Sequence, residues 1–113
     1  FAERWLGLAA ARPIPLPASQ PFAAENSGEK PAGCGQRGKV VLFVDTFTHY
    51  YTPEVAAAAQ AVLTAGGYAV EVLQPAADDG EPGRPLCCGR TYLSQGMVDK
   101  AKAEGRRMMA ALA

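Results

Sequence analysis

Val40-Val41-Leu42-Phe43-Val44 is a continuous apolar run rich in β-branched residues. Runs of this kind form strands buried on both faces, as in a parallel sheet. Asp45 to Tyr51 follows as a polar-aromatic loop. Thr52 then suits an N-cap, Pro53 the first helical position and Glu54 the positive end of a helix dipole. Val55 to Ala65 is alanine-rich, with Val55, Ala59, Val62 and Leu63 at helical spacing, and Gly66-Gly67 stops the helix. Tyr68 to Leu73 alternates as a second strand. Strand, helix and strand in this order predict parallel strands joined by a right-handed crossover. The expected fold is α/β: a Rossmann-like three-layer half-domain, with a short parallel sheet flanked by helices.

Outward from this unit the chain is less regular. Gln74 to Arg84 is a loop rich in Asp, Gly and Pro, and Pro85-Leu86-Cys87-Cys88-Gly89-Arg90 follows it. Ser94 suits the cap of a last helix from about Gly96 to Ala113. Met97, Val98, Ala101, Met108, Met109 and Leu112 line one face of that helix, with Lys100, Arg106 and Arg107 elsewhere. On the other side, Arg12 to Gly38 carries Pro13, Pro15, Pro17, Pro21 and Pro31. Such spacing holds neither a helix nor a central strand. Residues 1–38 therefore read as a proline-rich linker and the helical end of a preceding domain (Phe1 to Ala11, with Trp5, Leu6 and Leu8), and residues 39–113 as the ordered domain. The chain starts at Phe1 and stops after a helix where a third parallel strand is expected, so it reads as an excised piece of a longer protein. Two strands and two helices make a thin core. A second copy completing the sheet as a homodimer is expected, because an unpaired buried edge is a liability.

Composition excludes some functions. The 113 residues hold 11 Lys plus Arg and 11 Asp plus Glu, so the formal net charge is zero and gives no electrostatic reason to expect nucleic acid. No run of about 18 apolar residues exists, so no membrane span is expected. The N-terminus lacks the layout of a signal peptide. Three cysteines, two of them adjacent, make a poor disulfide framework, which points to a reducing, cytoplasmic setting.

The chemistry-bearing feature is Cys87-Cys88. Cysteine sulfur is the usual ligand of iron in iron–sulfur clusters. Successive side chains of a strand point to opposite faces, so adjacent thiols converge only where the backbone turns. Gly89 supplies that freedom, and a helix N-terminus nearby favours thiolate. Three readings stand side by side: an inert thiol pair, cluster ligation, and zinc binding or thiol exchange. Cys34, Cys87, Cys88 and His49 make four zinc ligands by count, but the usual C-x₂-C spacing is absent.

Val40-Val41-Leu42-Phe43-Val44-Asp45-Thr46-Phe47, Tyr51-Thr52-Pro53-Glu54-Val55 and Pro85-Leu86-Cys87-Cys88-Gly89-Arg90 together resemble the cysteine-rich CCG domain. That domain occurs in heterodisulfide reductase and in iron–sulfur subunits of glycolate oxidase, lactate utilisation and anaerobic glycerol-3-phosphate dehydrogenase. It also ends proteins that fuse a flavin-binding oxidase to a two-cluster ferredoxin module, and this fused type is the nearer resemblance. It covers about Lys39 to Leu112, with residues 1–17 similar to the segment leaving the ferredoxin module. The resemblance implies an electron-transfer domain of an FAD-linked oxidoreductase acting on a 2-hydroxy acid. It implies Cys87 and Cys88 as ligands of a [4Fe–4S] cluster, FAD bound elsewhere in the parent protein, and flavin-binding and ferredoxin-type domains as partners. It further implies a cytoplasmic enzyme, peripheral to the inner face of the membrane through partners. The alternatives are a non-redox docking domain of that enzyme and a metal-free dithiol redox module. Many members carry a further cysteine where this chain has Thr46, and a second cysteine-containing half that this chain lacks. Cys34 matches no family position. Two thiolates alone are too few for a four-iron cluster, so the isolated piece is expected to be inactive.

Other residues carry bland readings beside sharper ones. Asp45 at the end of the first strand is a loop-capping carboxylate or a site residue. His49 is a solvated loop histidine or an acid/base group. Tyr50, Tyr51 and Tyr92 pack over the sheet edge or line a cofactor cleft. Met108-Met109 is core or a domain interface. Gly66-Gly67 closes a helix, whereas phosphate loops open one.

Overall fold

Strand β1, Lys39–Leu42, and strand β2, Ala69–Val72, run parallel with Val40 opposite Val70, Val41 opposite Glu71 and Leu42 opposite Val72. The Ala69 N–H donates to the Gly38 carbonyl and the Leu73 N–H to the Leu42 carbonyl, both at 2.9 Å, which carries the ladder past each end. The computed structural model describes residues 7, 9, 11, 13–24 and 37–113. Within them lie four helices: α1, Thr46–Tyr51; α2, Pro53–Ala65; α3, Arg90–Ser94; and α4, Val98–Leu112. The domain is mixed α/β, a two-stranded parallel sheet with the helices packed against it.

Burial on both faces of the first strand is not what forms. β1 is shorter than the apolar run, and Val41 is 51% exposed. Strand alternation puts Val41 and its neighbour Glu71 on one face, and Val40, Leu42, Val70 and Val72 on the other. Only the second group is half-buried throughout. A carboxylate at Glu71 requires water, so Val41 beside it stays open.

The expected loop from Asp45 to Tyr51 is instead α1. Its cause is Asp45, whose carboxylate Oδ1 accepts the Thr48 N–H at 2.7 Å as an N-cap. This is the capping role expected of it. Thr52 separates the two helices as expected, but its hydroxyl makes no capping bond, and Pro53 opens α2. The α2 stop follows the expectation. Gly67 has φ +87°, its N–H donates to the Thr64 carbonyl at 3.0 Å, and the Tyr68 N–H donates to the Leu63 carbonyl at 3.1 Å. That pair of bonds is a Schellman motif.

Among its described residues the proline-rich stretch 13–24 contains neither helix nor strand. It nevertheless lies against α1: the Ala18 N–H donates to the Tyr50 carbonyl at 2.7 Å and the Phe22 N–H to the His49 carbonyl at 2.9 Å. Both carbonyls belong to the last turn of α1, which has no helical partners of its own to offer them. Phe22, 9% exposed, joins Ala56 and Leu86 as the buried apolar residues among those described. Most of the expected helical end at Phe1 to Ala11 lies outside the described residues, as does Cys34.

The C-terminal region differs in two respects. Ser94 does not cap the last helix; it closes α3, its hydroxyl donating to the Thr91 carbonyl at 2.8 Å. A turn through Gly96 intervenes, and α4 begins at Val98 with no side-chain cap. The covered face of α4 is also rotated from the apolar stripe. Ala101, Glu104, Met108 and Ala111 are buried or half-buried, whereas Met97, Val98, Met109 and Leu112 are exposed. Arg107 lies at the edge of the covered face, with its side chain only 11% exposed.

Candidate functional site

Cys87 and Cys88 are free thiols on the segment that joins the long loop to α3; Cys87 is half-buried and Cys88 exposed. Three contacts set their position. First, Leu86, 3% exposed, anchors the segment in the core. Second, the Thr46 hydroxyl donates to the Leu86 carbonyl at 3.4 Å, which brings the end of β1 and the start of α1 against the cysteine segment from 40 residues away in sequence. Third, Gly89 turns the chain into α3. Its φ is +79°, and a Cβ there would stand 2.7 Å from the Ala101 carbonyl oxygen and 3.2 Å from the Ala101 Cα. Glycine is therefore required twice over, for backbone conformation and for the close approach of α4.

The loop leading to the cysteines is held by ion pairs, one of them to Arg107, which was expected to lie off the apolar stripe of the last helix. Arg107 Nε donates to Asp79 Oδ2 at 2.6 Å. Its Nη1 donates to the Pro85 carbonyl at 3.0 Å, and its Nη2 to the carbonyls of Glu81 at 2.9 Å and Arg84 at 2.5 Å. Arg84 bridges Glu81 and the buried Glu104, each at 2.8 Å. The Asp79 carboxylate is held below its ordinary range. The Glu81 N–H on its Oδ1 is the largest cause, burial opposes it, and Arg107 adds to it. Burial tends to lower the Arg84 pKa, but the bonds to Glu104 and Glu81 outweigh it and the guanidinium is held more firmly charged. One signal could have exposed the clamp. Ala101, Glu104, Met108 and Ala111 follow helical spacing as well as the methionines do, and Arg107 is one turn on from Glu104.

Chemically the site offers two adjacent thiols, one open to solvent, on a segment that turns at Gly89. Among the described residues no group of three or more His, Cys, Asp or Glu side chains is placed to hold a metal ion. A four-iron cluster takes four cysteine ligands. The donor set at Cys87 and Cys88 supplies two, with a hydroxyl at Thr46, so the chain's described residues do not fit such a cluster unaided.

The remaining singled-out residues fall elsewhere. His49 lies in the last turn of α1, half-buried, with Tyr50 edge-on at 4.6 Å between ring centroids. It is neither in a loop nor grouped with the cysteines as a ligand. Tyr51 is exposed beside Phe47 at 6.4 Å. Tyr92 on α3 carries Lys100 Nζ 5.7 Å from its ring centroid. Met108 is half-buried and Met109 exposed.

The fold and the site thus define a small α/β domain presenting a vicinal thiol pair at the junction of a strand end, a clamped loop and two helices. No protein-family model, curated protein or solved structure matches the chain. Among the described residues no helix is long and apolar enough to cross a membrane.

Proposed function

We propose that the chain is a CCG-type domain of an FAD-linked oxidoreductase, in which Cys87 and Cys88 form one part of an electron-transfer site completed by protein outside the chain. The observation that carries this reading is the bond from Thr46 to the Leu86 carbonyl. It sets the residue at which many such domains bear a further cysteine directly beside the cysteine segment, as a shared site demands. The glycine requirement at position 89 supports the same reading, because the third residue of the triplet then has a backbone reason to be there. In this reading the flavin and the ferredoxin-type clusters belong to neighbouring domains, and the substrate is a 2-hydroxy acid oxidised at the flavin. The two thiols supply soft donors to a shared centre; the remaining donors come from the partner.

The open sheet face at Val41 and Glu71 favours a second reading, a docking domain whose thiols take no part in electron transfer. Iron and acid-labile sulfide content of the whole protein that carries this chain separates the two. Under the first reading Cys87→Ser and Cys88→Ser each lower both contents below those of the unsubstituted protein. Unchanged iron and sulfide in both variants refutes it and leaves docking.

A further inference from the structure

Arg107 has five N–H donors, and four bonds from its guanidinium reach the segment between Asp79 and Pro85. Three of the acceptors are main-chain carbonyls, of Glu81, Arg84 and Pro85. The last of these is two residues before Cys87. Carbonyls gathered on one guanidinium fix the backbone directly, whatever the side chains of the loop are. Among the described residues the loop is further held by Glu81 N–H on Asp79, the Arg84 bridges, and two turn bonds, Asp79 N–H to Ala76 O and Arg84 N–H to Glu81 O, each at 3.0 Å.

We infer that Arg107 is the positioning residue of the thiol pair: by clamping the carbonyls of residues 81, 84 and 85 onto α4 it holds Cys87 half-covered while Cys88 stays open. The covering of Cys87 then depends on a side chain 20 residues away that never touches sulfur. A lysine cannot replace it, because an ammonium is a point charge with three donors and no planar fork. The clamp matters to electron transfer only under the function proposed above, but its existence is tested on thiol exposure alone, so the two can fail separately.

The test is site-resolved alkylation of the full chain with iodoacetamide, in a Cys34→Ser background so that only the pair reacts. The rate at each cysteine is followed by peptide mass spectrometry. In the parent, Cys88 reacts faster than Cys87. Arg107→Lys and Arg107→Met raise the Cys87 rate about fivefold to thirtyfold relative to Cys88, the range that a lost interaction of ordinary strength gives. Leu63→Ala, half-buried on α2 and outside the loop and its clamp, serves as the control for general destabilisation. It leaves the Cys87 to Cys88 ratio at the parent value at a comparable loss of melting temperature. An unchanged ratio in Arg107→Lys overturns the inference, and so does an equal rise in Leu63→Ala. Should Arg107→Met fail to fold, Arg107→Lys alone decides.

Discussion

Gly89→Ala tests the packing of the site at its tightest point. The substitution adds one methyl carbon, and the structure fixes what it meets. At φ +79° an L-residue with a Cβ loses about 1–2 kcal/mol relative to glycine. The new Cβ also lies 2.7 Å from the Ala101 carbonyl oxygen, 3.2 Å from its Cα and 3.3 Å from its carbonyl carbon. These are backbone atoms of a helix interior, so no rotamer change can clear them, and overpacking of this kind costs about 1–3 kcal/mol. Together the two effects predict a loss of about 2–5 kcal/mol, a large part of the about 5–15 kcal/mol of an ordinary domain. Urea unfolding followed by circular dichroism reads the loss as a lower midpoint at constant m. Because the contacts are with backbone, Ala101→Gly fails to rescue Gly89→Ala; it adds its own helix penalty of about 1 kcal/mol. An unfolding free energy for Gly89→Ala within about 0.5 kcal/mol of the parent, the usual scatter of harmless surface changes, refutes this explanation of why glycine follows the cysteine pair.

Phe22→Ala removes a buried ring from the proline-rich segment and is expected to cost about 3 kcal/mol; a shift below about 0.5 kcal/mol in urea unfolding means that segment is not docked on α1. Asp79 has a lowered folded pKa, so its contribution to stability is present above its ordinary value of 3.8 and is lost as the pH falls below it. Asp79→Asn therefore flattens the acid limb of the stability–pH curve, and an unaltered limb counts against the Asp79–Arg107 pair. Thr46→Cys sets a third thiol beside the pair and is expected to bind cobalt more tightly, with a stronger thiolate charge-transfer band than the parent; equal titrations mean that position 46 and the cysteines do not converge. Pairing between copies of the sheet edges that carry no further strand among the described residues predicts a dimer by light scattering, which a monomeric mass at all concentrations excludes.

The strand–helix–strand unit was legible because three independent signals agree there: a β-branched run, helical spacing in an alanine-rich stretch, and a Gly-Gly stop that becomes a Schellman motif. α1 was missed because its six residues are aromatic or β-branched and have little intrinsic helix preference; the Asp45 cap and the main-chain bonds from Ala18 and Phe22 to its last carbonyls supply what propensity lacks. The face of α4 was misread for a different reason. Hydrophobicity marks Met97, Val98, Met109 and Leu112, which stay exposed, whereas a long loop bristling with carbonyls and carboxylates covers the face that carries Glu104 and Arg107. Helical spacing fits Ala101, Glu104, Met108 and Ala111 as well as it fits the methionines, but it does not say which of the two faces a polar partner from 20 or more residues away covers. At the site, the cysteine pair and its glycine were readable as local sequence. The approach of Thr46 to Leu86 was not, since nothing in either segment alone specifies it.

Under the proposed function, Cys87 and Cys88 lie on an electron path from a flavin to an acceptor. Stopped-flow measurement on the whole protein that carries this chain tests it most directly, with the two half-reactions followed separately for Cys87→Ser and Cys88→Ser. Flavin reduction by a 2-hydroxy acid is expected to proceed at the parent rate while reduction of the acceptor is lost. Acceptor reduction at the parent rate in both variants would contradict it.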